Sequence, residues 1–272
     1  MSDDEQHFHP PGLTFLLDVS AAQWIEQGLG RRFAHVEALL PRGFARYARL
    51  FHPARNQHRE RVLWAEVAAW NGRTVHPLMA FERISTAASG YGAGVAPSIE
   101  EPRQGSLDPG DVIALADFLT NFTGTPQRCF FAVWEGRGQF TPGATVIFRS
   151  FSESGAEPKV PLPEPQLLVP PAEVLIAERL RGVGRDYVLY AGALSAVTSF
   201  HVNLWDSPSI WWPEDRQWCI ATDIDLDSTY VGGSEACIEA LVGDARFEAL
   251  PTTVDAPVYF AADTLNIDER TC

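Results

Sequence analysis

Lysine is almost missing from this chain. Lys159 is the only one, so 20 of the 21 basic side chains are arginines. Chemistry that needs a lysine anywhere but position 159 is thereby excluded. Cysteine is scarce as well: Cys129, Cys219, Cys237 and Cys272, with no C-x-x-C pair. Three of them sit among apolar neighbours, the setting of small buried thiols rather than of a zinc site or a disulfide frame. No apolar run approaches the ~18 residues that span a bilayer. The opening MSDDEQHFHPPG has neither the basic nor the apolar region of a secretory signal. Positive charge is the minority, with 21 Lys and Arg against 35 Asp and Glu and a net charge of -14. Such a surface repels phosphate backbones and anionic lipid. The sequence therefore argues against nucleic acid and membrane as partners, and for a soluble cytoplasmic protein whose charge would suit a basic protein partner. No G-x-S-x-G, S-x-x-K or H-E-x-x-H occurs.

What is present is ordinary globular material. The 272 residues are 46% hydrophobic and 21% charged, enough to bury a sizeable core. Residues 1–12 read as a polar tail. The 13–151 segment carries an apolar strand from Leu13 to Leu17, a helix opening at Ser20 with Gln23 at capping-box spacing, and a strand over Phe44–Phe51. A helix follows on Leu63, Val67 and Trp70, stopped by Asn71-Gly72. Asp108 and Pro109 open the best helix, whose stripe is Val112, Leu115, Leu119 and Phe122 and whose stop is Gly124. Cys129–Trp134 and Thr145–Phe151 read as strands.

Residues 152–171 differ in kind. Six of the 20 prolines fall between Pro158 and Pro171, giving an extended connector of polyproline character. It joins two lobes, or it lies as an arm over one continuous domain; both arrangements stand open. The 172–272 segment then carries strands at Tyr187–Ala191, Thr198–Leu204, Trp218–Leu226, Phe247–Val254 and Val258–Phe260, and a helix over Ser234–Val242. Strands and helices interleave without a strict βαβ alternation. The expected fold class is α+β, with a mixed, largely antiparallel sheet and helices packed on it; a doubly wound sheet is the second choice.

Two segments invite a functional reading. In Trp218-Cys-Ile-Ala-Thr-Asp-Ile-Asp-Leu-Asp227, Asp223, Asp225 and Asp227 alternate with apolar residues. On a strand the three carboxylates would share one face and could hold a divalent cation through oxygen. A calcium loop is not matched, since its sixth and twelfth positions are Ser228 and Ser234. The bland alternative is a half-buried strand with an acidic wet face. Gly232-Gly233-Ser234 then leads into a helix, where free N–H groups could hold an anion or merely form a capped turn. The second segment holds Trp205, Trp211, Trp212 and Trp218, half of the eight tryptophans. Pro208 and Pro213 break it, which predicts a loop whose tryptophans either dock a ligand or partner or cover a core edge.

Other candidates are scattered. Gly90, Gly92 and Gly94 form a G-x-G-x-G without a leading strand, better read as a loop than as a nucleotide fingerprint. Glu135 ends a strand and could act as an acid or base with one of the aspartates, with His52 or His201 as proton carrier. Cys237, at the start of a helix but on its apolar side, reads as an inert buried thiol.

The stretches FARYARLFHPA from Phe44, WAEVAAWNGRTVHPLMAF from Trp64, CFFAVWEGRG from Cys129 and WWPEDRQWCIATDIDLDSTYVGGS from Trp211 resemble an uncharacterised family of proteins from high-GC Gram-positive bacteria. That resemblance implies a cytoplasmic bacterial protein and carries over no catalytic residue. Two readings follow from the residues themselves. The first is a non-catalytic binding or protein-interaction module using the aromatic and acidic patch between Trp205 and Asp227. The second is a metal-assisted or carboxylate-based hydrolase with Asp223, Asp225 and Glu135 at its site.

Overall fold

The computed structural model describes residues 8–88, 98–137, 140, 145–146, 166–167, 170–203 and 206–267. Most of the Pro-rich segment, the 90–94 glycines and Trp205 lie outside the described residues. The strands are β1 (Leu13–Leu16), β2 (Arg46–Phe51), β3 (Ala54–Asn56), β4 (Arg61–Val62), β5 (Ile99–Glu100), β6 (Cys129–Trp134), β7 (Thr145–Val146), β8 (Gln166–Leu167), β9 (Leu180–Arg181), β10 (Asp186–Gly192), β11 (Ile210–Pro213), β12 (Trp218–Ala221), β13 (Ser228–Gly233) and β14 (Ala249–Thr252). The helices are α1 (Gln23–Gly28), α2 (Trp64–Trp70), α3 (Phe81–Ile84), α4 (Pro109–Thr120), α5 (Ala172–Ile176), α6 (Ser199–Asn203) and α7 (Glu235–Gly243). Among the described residues none is long and apolar enough to cross a membrane.

The fold is α+β around a nine-stranded sheet in the order β1-β10-β6-β11-β12-β13-β2-β14, with β9 also on β10. Its neighbours are all antiparallel. Strands from before and after the Pro-rich segment are interleaved in it: β10 pairs with β6, β6 with β11, and β13 with β2.

Both faces of this sheet are buried. On the first, Phe131, Trp211, Trp218, Ile220 and Val231 pack under α4 and α7 through Leu115, Leu119, Ile238 and Leu241. On the second, Ala132, Leu189, Ile210, Trp212 and Tyr230 are covered by Ile25 of α1 and by Val36 and Leu40. A sheet with two apolar faces loses the hydrophobic–polar alternation of a half-solvated one. That is why Phe44–Phe51 alternates poorly yet still forms a strand.

The helix signals in the sequence act largely as expected. Ser234 caps α7 by accepting from the Cys237 N–H at 3.2 Å. In α2, Glu66 accepts from the Leu63 N–H at 2.8 Å, and Gly72 at φ +65° follows the end of the helix. Before α1 no side chain caps: Ser20–Ala22 form a 3-10 turn, and the Asp18 carboxylate accepts the Ser20 N–H at 2.9 Å ahead of it. Asp108 stands at the start of α4 but makes no cap bond and pairs with Arg55 and Arg103 instead.

Four elements differ from expectation. Residues 198–204, expected as a strand, are helical through Asn203. Val258–Phe260 forms no strand, and Phe260–Ala262 is a single 3-10 turn. The strand from Trp218 stops at Ala221 rather than at Leu226. There Asp223 turns the chain, its carboxylate accepting the Asp225 N–H at 3.0 Å and its carbonyl the Leu226 N–H at 3.0 Å. Asp makes such turns readily and is a poor strand former, so local chemistry overrides the alternating pattern. Finally, Trp211 and Trp212 lie in β11 and not in a loop, and with Trp218 they are 0% exposed.

Trp212 is wedged between Phe130, stacked at 5.6 Å, and Trp24, edge-on at 6.1 Å. We expect Trp212→Ala to cost about 3–5 kcal/mol in urea unfolding, the usual loss for a deleted core aromatic. A loss below about 1 kcal/mol would mean that the second face is not packed as described.

Candidate functional site

Four segments converge at one end of the second sheet face and leave a cavity of about 270 Å³ between them. They are residues 33–39, the turn 183–187 leading from β9 into β10, the 223–226 turn between β12 and β13, and residues 258–260. Each is held by backbone bonds: Gly182 N–H to the Arg185 carbonyl at 2.8 Å, Val36 N–H to Ala256 and Val258 N–H to Ala34, both at 2.9 Å. The walls are apolar, with Leu39, Val183 and Leu226 inside and Phe33, Tyr259 and Phe260 at the mouth. These three aromatics are 74%, 49% and 50% exposed and line one cavity, a grouping that a folded surface usually covers or uses. Ala34, in the wall, is held at φ +59°. A side-chain-bearing residue there is strained, and such strain gathers at functional sites.

The polar end is compact. The Arg185 guanidinium gives Nε and Nη2 to the two oxygens of Asp223 at 2.7 and 3.0 Å, and Nη2 also reaches Asp225 at 2.5 Å. It lies over the Trp134 ring, 5.1 Å from the centroid. Burial pulls the Arg185 pKa down, but the bonds and charges of Asp223 and Asp225 outweigh it and leave the group above its ordinary value. Beside them stands Tyr187, 7% exposed and lining the cavity. Its phenol is pushed up, first by burial and then by the nearby Asp223 charge, so it stays protonated.

The 33–39 wall is fixed by charge. Glu37, 4% exposed, accepts from Arg32 at 2.8 Å and from Arg42 at 2.9 Å, and both arginines also reach Asp255. These bonds, that of Arg32 foremost, hold the Glu37 carboxyl down at about 2.

The sequence candidates are brought together only in part. Asp223 and Asp225 meet at the cavity, but Asp227 turns to Arg49 at 3.4 Å and lines an adjoining cavity of about 110 Å³. No group of three His, Cys, Asp or Glu side chains among the described residues is placed to hold a metal, because the aspartates face arginines. Glu135 pairs with Arg179 at 2.9 Å rather than with an aspartate. His52 is interior: the Arg103 carbonyl can only accept, so Nδ1 donates to it at 2.6 Å, and Nε2 accepts the Thr229 hydroxyl at 2.9 Å. Burial holds His52 below its ordinary value. His201 donates to the Leu107 carbonyl at 3.0 Å, in another part of the molecule, and is likewise lowered by burial. Trp211, Trp212 and Trp218 are core residues and present no ring to solvent. Gly232 and Gly233 belong to β13, and a Cβ on Gly232 would lie 2.6 Å from the Phe44 ring, which explains the glycine without a ligand. The N–H groups that follow Ser234 are occupied at Cys237 by the Ser234 cap. Burial pushes the Cys237 thiol up to about 12, as befits an inert side chain.

Sequence reasoning missed Phe33, Arg185, Tyr187, Tyr259 and Phe260. One signal was available. Gly182-Val183-Gly184-Arg185-Asp186 is a glycine-flanked turn feeding an apolar strand, a place where a charged side chain is often functional. Compared with known proteins, the chain matches no family model, no curated protein and no solved structure.

The Glu37 cluster makes the wall sensitive to acid. Its folded pKa, about 2, lies below the ordinary 4.5, so its stabilisation is complete above 4.5 and is lost as the pH falls toward about 2. We expect Glu37→Gln to melt below the wild type near neutral pH, with the gap closing across that acid window. A gap that stays constant through the window would show that the carboxylate is not held by its arginines.

Proposed function

We propose that this protein binds a small, largely apolar molecule in the cavity between residues 33–39, 183–187, 223–226 and 258–260. The observation that carries this is the combination of apolar walls with one convergent polar cluster, the usual composition of a ligand pocket. At about 270 Å³ the space suits a compact molecule and not a folded partner. Two further facts support the reading. The wall is over-determined by the Glu37 cluster and by the strained Ala34, more ordering than a surface loop needs. The mouth is ringed by exposed aromatics, which supply contact area at little entropic cost.

This keeps the binding role expected from the acidic segment but relocates its aromatic part. Asp223 and Asp225 remain in the site, while Phe33, Tyr259 and Phe260 take the place of the tryptophans.

The test is ligand-observed NMR with a set of neutral, anionic and cationic aromatic and aliphatic fragments. Ala38→Trp and Val183→Trp fill the cavity from two different walls, and a thermal melt of each reports whether the fold survives. Fragments that bind the wild type and compete with one another, but fail to bind whichever variant stays folded, are the expected result. Equal binding to wild type and folded variants, or no binding at all, would overturn the proposal.

A further inference from the structure

We infer that the molecule bound in this cavity is an organic ammonium ion on an apolar body, its nitrogen held between Asp225 and Tyr187; the inference rests on the cavity being a binding site. The charge count around the polar end comes first. Arg185 is one positive charge, and Asp223 with its two-oxygen fork at 2.7 and 3.0 Å already compensates it. Asp225 touches the guanidinium through one oxygen only and has a side chain 75% exposed. An exposed pair of that kind contributes little, so Asp225 can turn to a second cation at small cost. The site thus carries one negative charge more than it needs.

Tyr187 is the independent observation. The residue is 7% exposed and lines the cavity, and its hydroxyl has no hydrogen-bond partner among the described residues. That oxygen is not closed off from solvent, so it is an open acceptor at the cavity, and an ammonium N–H can donate to it. The rings at the mouth point the same way, because the faces of Phe33 and Tyr259 attract cations. Phe260 beside them already carries one, the Arg83 guanidinium 4.5 Å from its centroid. An anionic ligand would instead set a third carboxylate beside a single guanidinium. A neutral one would leave the second carboxylate's charge uncompensated, with Arg185 alone beside Asp223 and Asp225.

The experiment is isothermal titration of the full chain with phenethylammonium, 3-phenylpropionate and 3-phenyl-1-propanol, at low ionic strength. Phenethylammonium should bind at least about tenfold more tightly than the other two, the weight of one charge-assisted hydrogen bond. Asp225→Asn, a surface change that leaves the Arg185–Asp223 fork in place, should remove that preference while leaving the alcohol's affinity within about twofold. Tyr187→Phe should weaken the ammonium more than the alcohol. The assignment is overturned if the alcohol or the propionate binds as tightly as the ammonium, if the ammonium gives no heat, or if Asp225→Asn leaves its affinity unchanged. If the ammonium shows no preference, binding of the alcohol or propionate that Ala38→Trp abolishes sinks the cation and leaves the cavity reading standing. A wild type and an Ala38→Trp that behave alike toward all three would sink both.

Discussion

The structure depends on a sheet that must be covered on both sides. Its central strands β6, β11 and β12 carry large apolar side chains alternately to either face, with Phe131, Trp211 and Trp218 to one and Phe130, Trp212 and Cys219 to the other. Neither set can be left in water, since each buried aromatic is worth a few kcal/mol. Helices α4 and α7 cover the first face. Among the described residues no long helix covers the second, which is packed by the short α1, the stretch 29–42 and residues 254–258. Irregular cover cannot tile a sheet to its edge as a helix does. The cavity lies where this second layer comes to the end of the sheet.

Irregular cover also needs another way to hold its shape, and here arginine supplies it. Glu37 gathers Arg32 and Arg42 onto Asp255, Arg185 forks onto Asp223, and Arg49 gives donors to Ser228, to Asp227 and to the carbonyls of Pro77 and Met79. Each arginine joins segments far apart in the chain. A planar fork with several donors can serve two or three acceptors at once, whereas an ammonium is a point charge on a flexible stem. The near-absence of lysine thus fits a protein in which basic side chains hold loops together. Asp225 differs from the carboxylates in these clusters: its side chain is 75% exposed and it meets Arg185 through one oxygen.

How legible this was depended on how local each feature is. Helix α4 could be read from Asp108, Pro109 and its apolar stripe, and β6 and β10 from short β-branched and aromatic runs, because capping and strand propensity act within a few residues. The aspartates misled for the same reason. D-x-D-x-D spacing is what a strand face looks like, but the Asp223 turn competes locally and wins, sending Asp225 and Asp227 to different arginines. Trp211 and Trp212 looked like a loop because prolines flank them. Yet Pro213 closes β11 as its last residue, and the strand between β6 and β12 buries both rings completely. The cavity itself was out of reach, because its segments at 33–39, 183–187, 223–226 and 258–260 are joined only by tertiary contact.

The same contrast explains why the interior polar groups and the cavity play different parts. His52 donates to Arg103 and accepts from Thr229, whose hydroxyl in turn meets Thr222 at 2.7 Å, so every group in that chain is used. Such a closed network fixes the loop at Arg103 against β13 and has no capacity left for a visitor. At the cavity the network is open. Asp223 is fully engaged, but Asp225 is only half engaged and the Tyr187 hydroxyl not at all. Buried nitrogens without a partner among the described residues also occur at Trp24, His201, Trp211 and Trp218, none of which lines the cavity, so what sets the cavity apart is that its open acceptors stand beside an apolar hollow that a ligand can enter.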